Sequence, residues 1–195
     1  MTALESVLRR VHRDLTDARI AFALVGGLAV SARTEPRFTR DADFAVALPG
    51  DAEAEALIRN LRGQGYQVHA VVEQDAGGRL ATVRLSESPQ AEAPMVDLLF
   101  ASSGIELEVV AEVIELLPGL PIAVARTGHL MALKLLARDD LSRPQDQADL
   151  RALLRVAGLD ELARAREAVT LITARGYHRD RDLVSALDRM LSAAP

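Results

Sequence analysis

The feature that most constrains this chain is a series of short apolar runs, each closed by glycine or proline. Ile20-Ala-Phe-Ala-Leu-Val25 runs into Gly26-Gly27, and Phe44-Ala-Val-Ala-Leu48 runs into Pro49-Gly50. Runs this short suit buried strands better than buried helices. The pattern predicts strands over 20–25 and 41–48, followed by three more β-like segments at 66–72, 79–85 and 95–101. The first two of those three are expected to form a hairpin through Asp75 to Gly78.

Helical spacing fills the gaps. Leu4, Val7, Leu8, Val11 and Leu15 predict a first helix over 3–19. Residues 28–35 predict a short helix stopped by Pro36, and 51–64 a helix closed by Gly63 and Gly65. Residues 105–117 fit helix or strand equally, and 122–125 read as a short edge strand after Pro118, Gly119 and Pro121. From Thr127 onward the pattern is helical. Thr127 is expected to N-cap one helix, Pro144 to sit in the first turn of the next, and Gly158 and Gly176 to separate two more. The expectation is an α+β fold. A mixed-sheet core over 1–125 is followed by a helical bundle over 126–195, packed on it as one compact unit.

Composition narrows the function classes. Aromatic residues are 3% of the chain and hydrophobic residues 49%, so the core must be aliphatic. No apolar run is long enough to span a membrane, and the N-terminal stretch lacks the apolar centre of a secretory signal. Cysteine is absent, which removes disulfide and thiol chemistry. These features predict a soluble, cytoplasmic protein. The net charge of −5 counts against a binder that holds nucleic acid by bulk charge. It leaves room for a local basic groove. Arg151, Arg155, Arg164, Arg166, Arg175, Arg179 and Arg181 either line such a groove or pair with Glu and Asp on solvated helix faces.

The chemistry concentrates in a few places. Gly26-Gly27 lies between a predicted strand and a helix start, where backbone N–H groups suit a phosphate. Alone, such a pair marks only a turn. Asp41 and Asp43 are two apart on a predicted strand, so alternation points both carboxylates to one face. Their repulsion is relieved by a divalent cation, and hard oxygen donors suit magnesium. Asp97 stands among apolar residues in Met95-Val-Asp-Leu-Leu-Phe-Ala101, a costly place for a charge without a partner. If its strand lies beside the Asp41–Asp43 strand, the three carboxylates converge and can hold two metal ions. Lys134 is the single lysine among 23 basic residues. Where arginine serves everywhere else, the lysine marks a place for a compact point charge. Asp146 and Asp149 share a helix face, and Asp146 is expected to pair with Lys134 across adjacent helices.

The ordered set Gly26-Gly27, Arg37-x-Thr39-x-Asp41-x-Asp43, Asp97, Lys134 and Asp146-x-x-Asp149-Leu150 resembles the DNA-polymerase-beta-like nucleotidyltransferase superfamily. Within it the match is to the AbiEii/MenT-type toxins, over roughly residues 20–155. The resemblance implies magnesium on Asp41 and Asp43, beside an Asp97 that shares the metal or takes the proton of the attacking hydroxyl, and a triphosphate facing Gly26, Gly27 and Ser31. It implies that Lys134 neutralises phosphate charge or holds Asp146, with Arg37 and Arg40 adding charge. Many superfamily members have serine where this chain has Gly27, so backbone N–H groups would carry that contact. The implied activity is transfer of a nucleoside monophosphate from an NTP, CTP or another pyrimidine NTP, to a hydroxyl. The implied acceptor is a tRNA 3′ end, with an antitoxin as partner. The alternatives are transfer to an antibiotic hydroxyl or a protein side chain, and a non-catalytic nucleotide-binding domain. The scattered histidines have no metal-ligand spacing, and no P-loop is present.

Overall fold

The computed structural model describes residues 2–74, 77–88, 93–115, 119–139 and 144–193. The elements run α1 (Ala3–Asp17), β1 (Ala21–Val25), α2 (Gly26–Arg33), β2 (Ala42–Ala47), α3 (Asp51–Gly63), β3 (Gln67–Glu73), β4 (Leu80–Ser86) and β5 (Met95–Leu99). They continue with α4 (Glu106–Ala111), β6 (Val113–Glu115), β7 (Ala123–Ala125), α5 (Thr127–Ala137), α6 (Pro144–Val156), α7 (Leu159–Ala174) and α8 (Leu183–Ser192). The fold is α+β, as the periodicity predicts.

The strands form one mixed sheet in the order β3-β4-β5-β2-β1-β7-β6. β2 is parallel to β5 and antiparallel to β1, so the sheet centre is a strand with apolar neighbours on both sides. Phe44, Leu24, Leu98 and Leu85 from these strands are fully buried, giving the aliphatic core that the composition demands. α1 lays Val7, Leu8, Val11 and Leu15 into that core. Its N-cap is Thr2, whose hydroxyl accepts from the Glu5 N–H at 3.1 Å.

Several local expectations are corrected. Residues 105–117 hold both a helix, α4, and a strand, β6, with 116 and 117 outside the described residues. The segment 122–125 is not an edge strand. β7 lies between β1 and β6, because β6 folds back antiparallel along its outer side. Thr127 is the first residue of α5 rather than its cap. The N-cap position is Arg126, and the Gly128 N–H donates to Glu161 of α7 at 2.8 Å. A carboxylate from another helix does the capping that sequence assigns to the local threonine. Asp41 precedes β2 by one residue. β3 and β4 do form the hairpin, although Asp75 lies outside the described residues, as do Ser142 and Arg143 before α6.

The C-terminal helices pack through α5, which meets α2, α6, α7 and α8. Its contact with α7 is close because Gly128 has no side chain. A Cβ there would meet the Glu161 carbonyl, the Ala165 nitrogen at 2.8 Å and the Arg164 Cβ at 2.9 Å. Two of these are backbone atoms and cannot swing aside. Gly128→Ala is therefore expected to lower the unfolding free energy by about 2 kcal/mol through overpacking. A lower urea midpoint at unchanged slope is the expected result.

Candidate active site

Register builds the site. Val25 pairs with Asp43, Asp43 with Asp97, Asp97 with Arg84, and Arg84 with Ala70. Directly opposed residues project to the same side of a sheet, so these five form one row across five strands. That row floors a cleft of about 450 Å³, with Leu130, Leu133 and Lys134 of α5 in its wall.

Gly26 sits at the end of the row, where β1 turns directly into α2. Its φ is +65°, the left-handed region that glycine enters without strain. Its α-carbon also faces the Asp43 carboxylate so closely that a Cβ would overlap the side chain. The N-cap of α2 is Val25, with no side-chain cap. The opening N–H groups of the helix thus lie beside a carboxylate, where an anion and a cation can be held together. Gly27 serves a different contact. A Cβ there would meet Arg37 Nη2 at 2.7 Å.

Asp97 is held by Arg84. Its Oδ1 accepts from Nε at 2.8 Å and its Oδ2 from Nη2 at 2.6 Å. The same Nη2 lies 3.8 Å from Asp41 Oδ2. The Asp97 hydrogen bond, with the charges of Asp97, Asp41 and Asp43, pushes the Arg84 guanidinium to an even higher pKa than usual. Arg84 does not figure among the sequence-predicted residues. The signal was present, for it stands between the buried Val83 and Leu85 as Asp97 stands between Val96 and Leu98. A lone arginine in an apolar strand asks for a partner as a lone aspartate does.

Lys134 joins two buried carboxylates. Its Nζ lies 2.7 Å from Asp146 Oδ1 and 2.9 Å from Asp149 Oδ2. Asp149 also accepts a fork from Arg37, Nε to Oδ1 at 2.7 Å and Nη2 to Oδ2 at 2.8 Å. The predicted Lys134–Asp146 pair therefore extends into a network that reaches the 34–41 loop. Ser31 supports the start of that loop, its Oγ accepting from the Arg37 N–H at 3.3 Å. Arg40 is apart from the cleft, with its guanidinium over the exposed Phe38 ring. Asp41 is not among the residues that line the cleft; its side chain is 43% exposed and reaches it only through the 3.8 Å approach to Arg84.

The helical arginines divide into two sets. Arg164 pairs with Glu112 and Glu161, Arg166 with Asp188, and Arg175 with Glu108. Arg179 donates to the Ser102 carbonyl and Arg181 to the carbonyls of Leu136 and Arg138. Arg151 and Arg155 instead line a groove of about 860 Å³ between α6 and α8, together with Arg138 and Arg189. Among the described residues, no carboxylate lies within salt-bridge distance of Arg151, Arg155 or Arg189.

Asp149 gives the network a measurable pH signature. Burial pushes its carboxyl up, but the hydrogen bonds and charges of Arg37 and Lys134 outweigh this and hold it below the ordinary value of 3.8. A depressed folded-state pKa adds stability that is full above the unfolded value and lost as pH falls through the folded one. Asp149→Asn is expected to destabilise the protein by about 3 kcal/mol at pH 7, by removing one member of a buried ionic network. In denaturant titrations at stepped pH, the gap to wild type should narrow below about pH 4.

Comparison with known proteins follows the geometry. Residues 7–195 match the family described as nucleotidyl transferase AbiEii toxin, type IV toxin–antitoxin system. A nucleotidyltransferase-like protein of Paracoccidioides brasiliensis, described as antigenic, is similar in structure, with TM-score 0.54 and 17% identity over 95% of this chain and 92% of its own. The antibiotic-resistance factor ANT(2'')-Ia has TM-score 0.49 and 16% identity over 97% and 95%. The lincosamide antibiotic adenylyltransferase LnuA has TM-score 0.49 and 13% identity over 78% and 98%. No curated protein sequence matches the chain. With the family match spanning nearly all of its length, the chain belongs to the AbiEii nucleotidyltransferase toxin family.

Proposed function

We propose that this nucleotidyltransferase moves a nucleoside monophosphate from CTP or another pyrimidine NTP to the 3′ hydroxyl of tRNA. The observation that carries the reading is the contact between Gly26 and Asp43, which puts helix N–H donors for phosphate beside a carboxylate for its cation. The donor set fits a magnesium-type ion, because Asp43 in the row and Asp41 just before its strand offer hard oxygens. Magnesium would be held there by Asp41 and Asp43, beside an Asp97 already paired with Arg84, and would supply charge stabilisation to the phosphoryl group in flight.

The chain's own groups would do the rest. The N–H groups of Gly26 and Gly27 bind the triphosphate. Lys134 is a cation of the cleft wall, held in place by Asp146 and Asp149. Arg37, locked on Asp149, fixes the loop that carries Asp41. The acceptor oxygen bonds to the α-phosphorus as the bond to the bridging oxygen of pyrophosphate breaks. The hydroxyl proton passes to a carboxylate of the cleft. Catalysis is then positioning and electrostatics, with residues 1–125 supplying the sheet row and residues 126–195 the lysine. Tight structural support of Gly26 implies that Gly26→Ala, which displaces Asp43, lowers turnover by at least about a hundredfold.

The acceptor reading draws on the arginine groove. In a chain of net charge −5, four arginines on one groove suit a phosphodiester backbone. The setting would be the cytoplasm, where NTP and tRNA are found. No helix among the described residues is long and apolar enough to cross a membrane. A cognate antitoxin would hold the activity in check, as the family description implies.

The test is to incubate wild type and Asp41→Ala with magnesium, each labelled NTP in turn and total RNA. Label in a tRNA-sized band with wild type alone is the expected result. Label in a small molecule or a protein band, with RNA blank, would sink the tRNA acceptor and keep the chemistry. For the groove, Arg151→Glu with Arg155→Glu is expected to weaken tRNA binding while leaving NTP affinity unchanged. The salt slope should fall by about one per arginine lost. An unchanged slope would remove the groove from the acceptor path.

A further inference from the structure

We propose that Arg84 occupies the place of a second divalent cation, so that the cleft takes one metal ion, on Asp41 and Asp43, while Asp97 stays committed to arginine. This rests on the metal-dependent reading above and goes beyond it. Three carboxylates on neighbouring strands ordinarily invite two ions. Here the middle of the row is already filled by a guanidinium. Asp97 and Arg84 are directly opposed on antiparallel strands, and both carboxylate oxygens take N–H bonds from the fork. A planar fork on a carboxylate is a strong and geometrically specific pair.

Position and charge point the same way. The Asp97 side chain is 12% exposed and that of Arg84 43%, and the two meet at 2.6 Å. Its Nη2 also leans 3.8 Å from Asp41, across the carboxylate group rather than away from it. A divalent ion bound to Asp97 would have to sit within a few ångströms of this fixed positive charge, which opposes it by Coulomb repulsion. Arg84 reduces three negative charges to two, the charge that one divalent ion neutralises.

Metal counting tests this without reference to turnover. Mn2+ would be titrated into wild type, Arg84→Lys and Arg84→Gln, each with saturating α,β-methylene-CTP, and free Mn2+ read by electron paramagnetic resonance. Wild type and Arg84→Lys should bind one ion per chain. Arg84→Gln, with Asp97 released, should bind two, the second at least about tenfold tighter than any second ion in wild type. Circular dichroism and thermal melting establish that each variant is folded, and Arg84→Lys keeps the charge if Arg84→Gln fails to fold. Two ions in wild type would overturn the inference and leave the metal-dependent reading standing. One ion in folded Arg84→Gln, or two in Arg84→Lys, would also overturn it. No ion in wild type would overturn both.

Discussion

Asp149 is the constraint on which the site's assembly depends. It is 2% exposed, and it carries a fork from Arg37 and a contact from Lys134. A buried carboxylate stripped of such partners is costly, so the network has to close or the helices part. Closing it fixes three things together. α6 is held to α5 through Lys134, the 34–41 loop is held to α6 through Arg37, and Gly27 is left small so that the Arg37 guanidinium can lie against it. The loop leading to Asp41 is therefore positioned by a helix more than a hundred residues away in sequence. The Gly-Gly turn and the Asp-x-x-Asp helix belong to one mechanical unit.

The sheet supplies the other half of the site by register alone. Asp43, Asp97 and Arg84 face one another because β2, β5 and β4 pair in that order and alignment. A one-residue slip in any pairing would send one of them to the opposite face. The neighbouring apolar pairs, Phe44 with Leu98 and Val83 with Leu98, fix that alignment because they are buried on the other side of the sheet. Core packing thus sets the charge geometry of the cleft, and charge neutralisation is achieved within the row.

Arginine use follows the same logic of partners. The chain is acidic, yet most arginines of its last third are already engaged with glutamates, aspartates or backbone carbonyls. Such pairs at the surface contribute little stability individually, and mainly fix orientation between helices. Arg151, Arg155 and Arg189 stand out because they face one groove, Arg155 also donating to the Arg151 carbonyl at 3.3 Å. A concentration of cations on one surface can attract a polyanion even when the net charge is negative.

By itself the sequence determined most of the elements and pointed to several of the charged residues that the fold brings together. Period-2 and period-3.6 patterns bounded by glycine and proline placed nearly every strand and helix, since burial of an apolar face dictates those periods. Lone charges in apolar surroundings singled out Asp97, and the odd lysine singled out Lys134, because desolvated charge needs a reason to be there. Tertiary structure decided what those charges meet. That β7 is interior, that Glu161 caps α5 and that Arg37 turns to Asp149 all depend on segments distant in the chain. Arg84 is the clearest case. Its residue type and apolar flanks were visible, but its partner was set by strand order and register, which local periodicity does not encode.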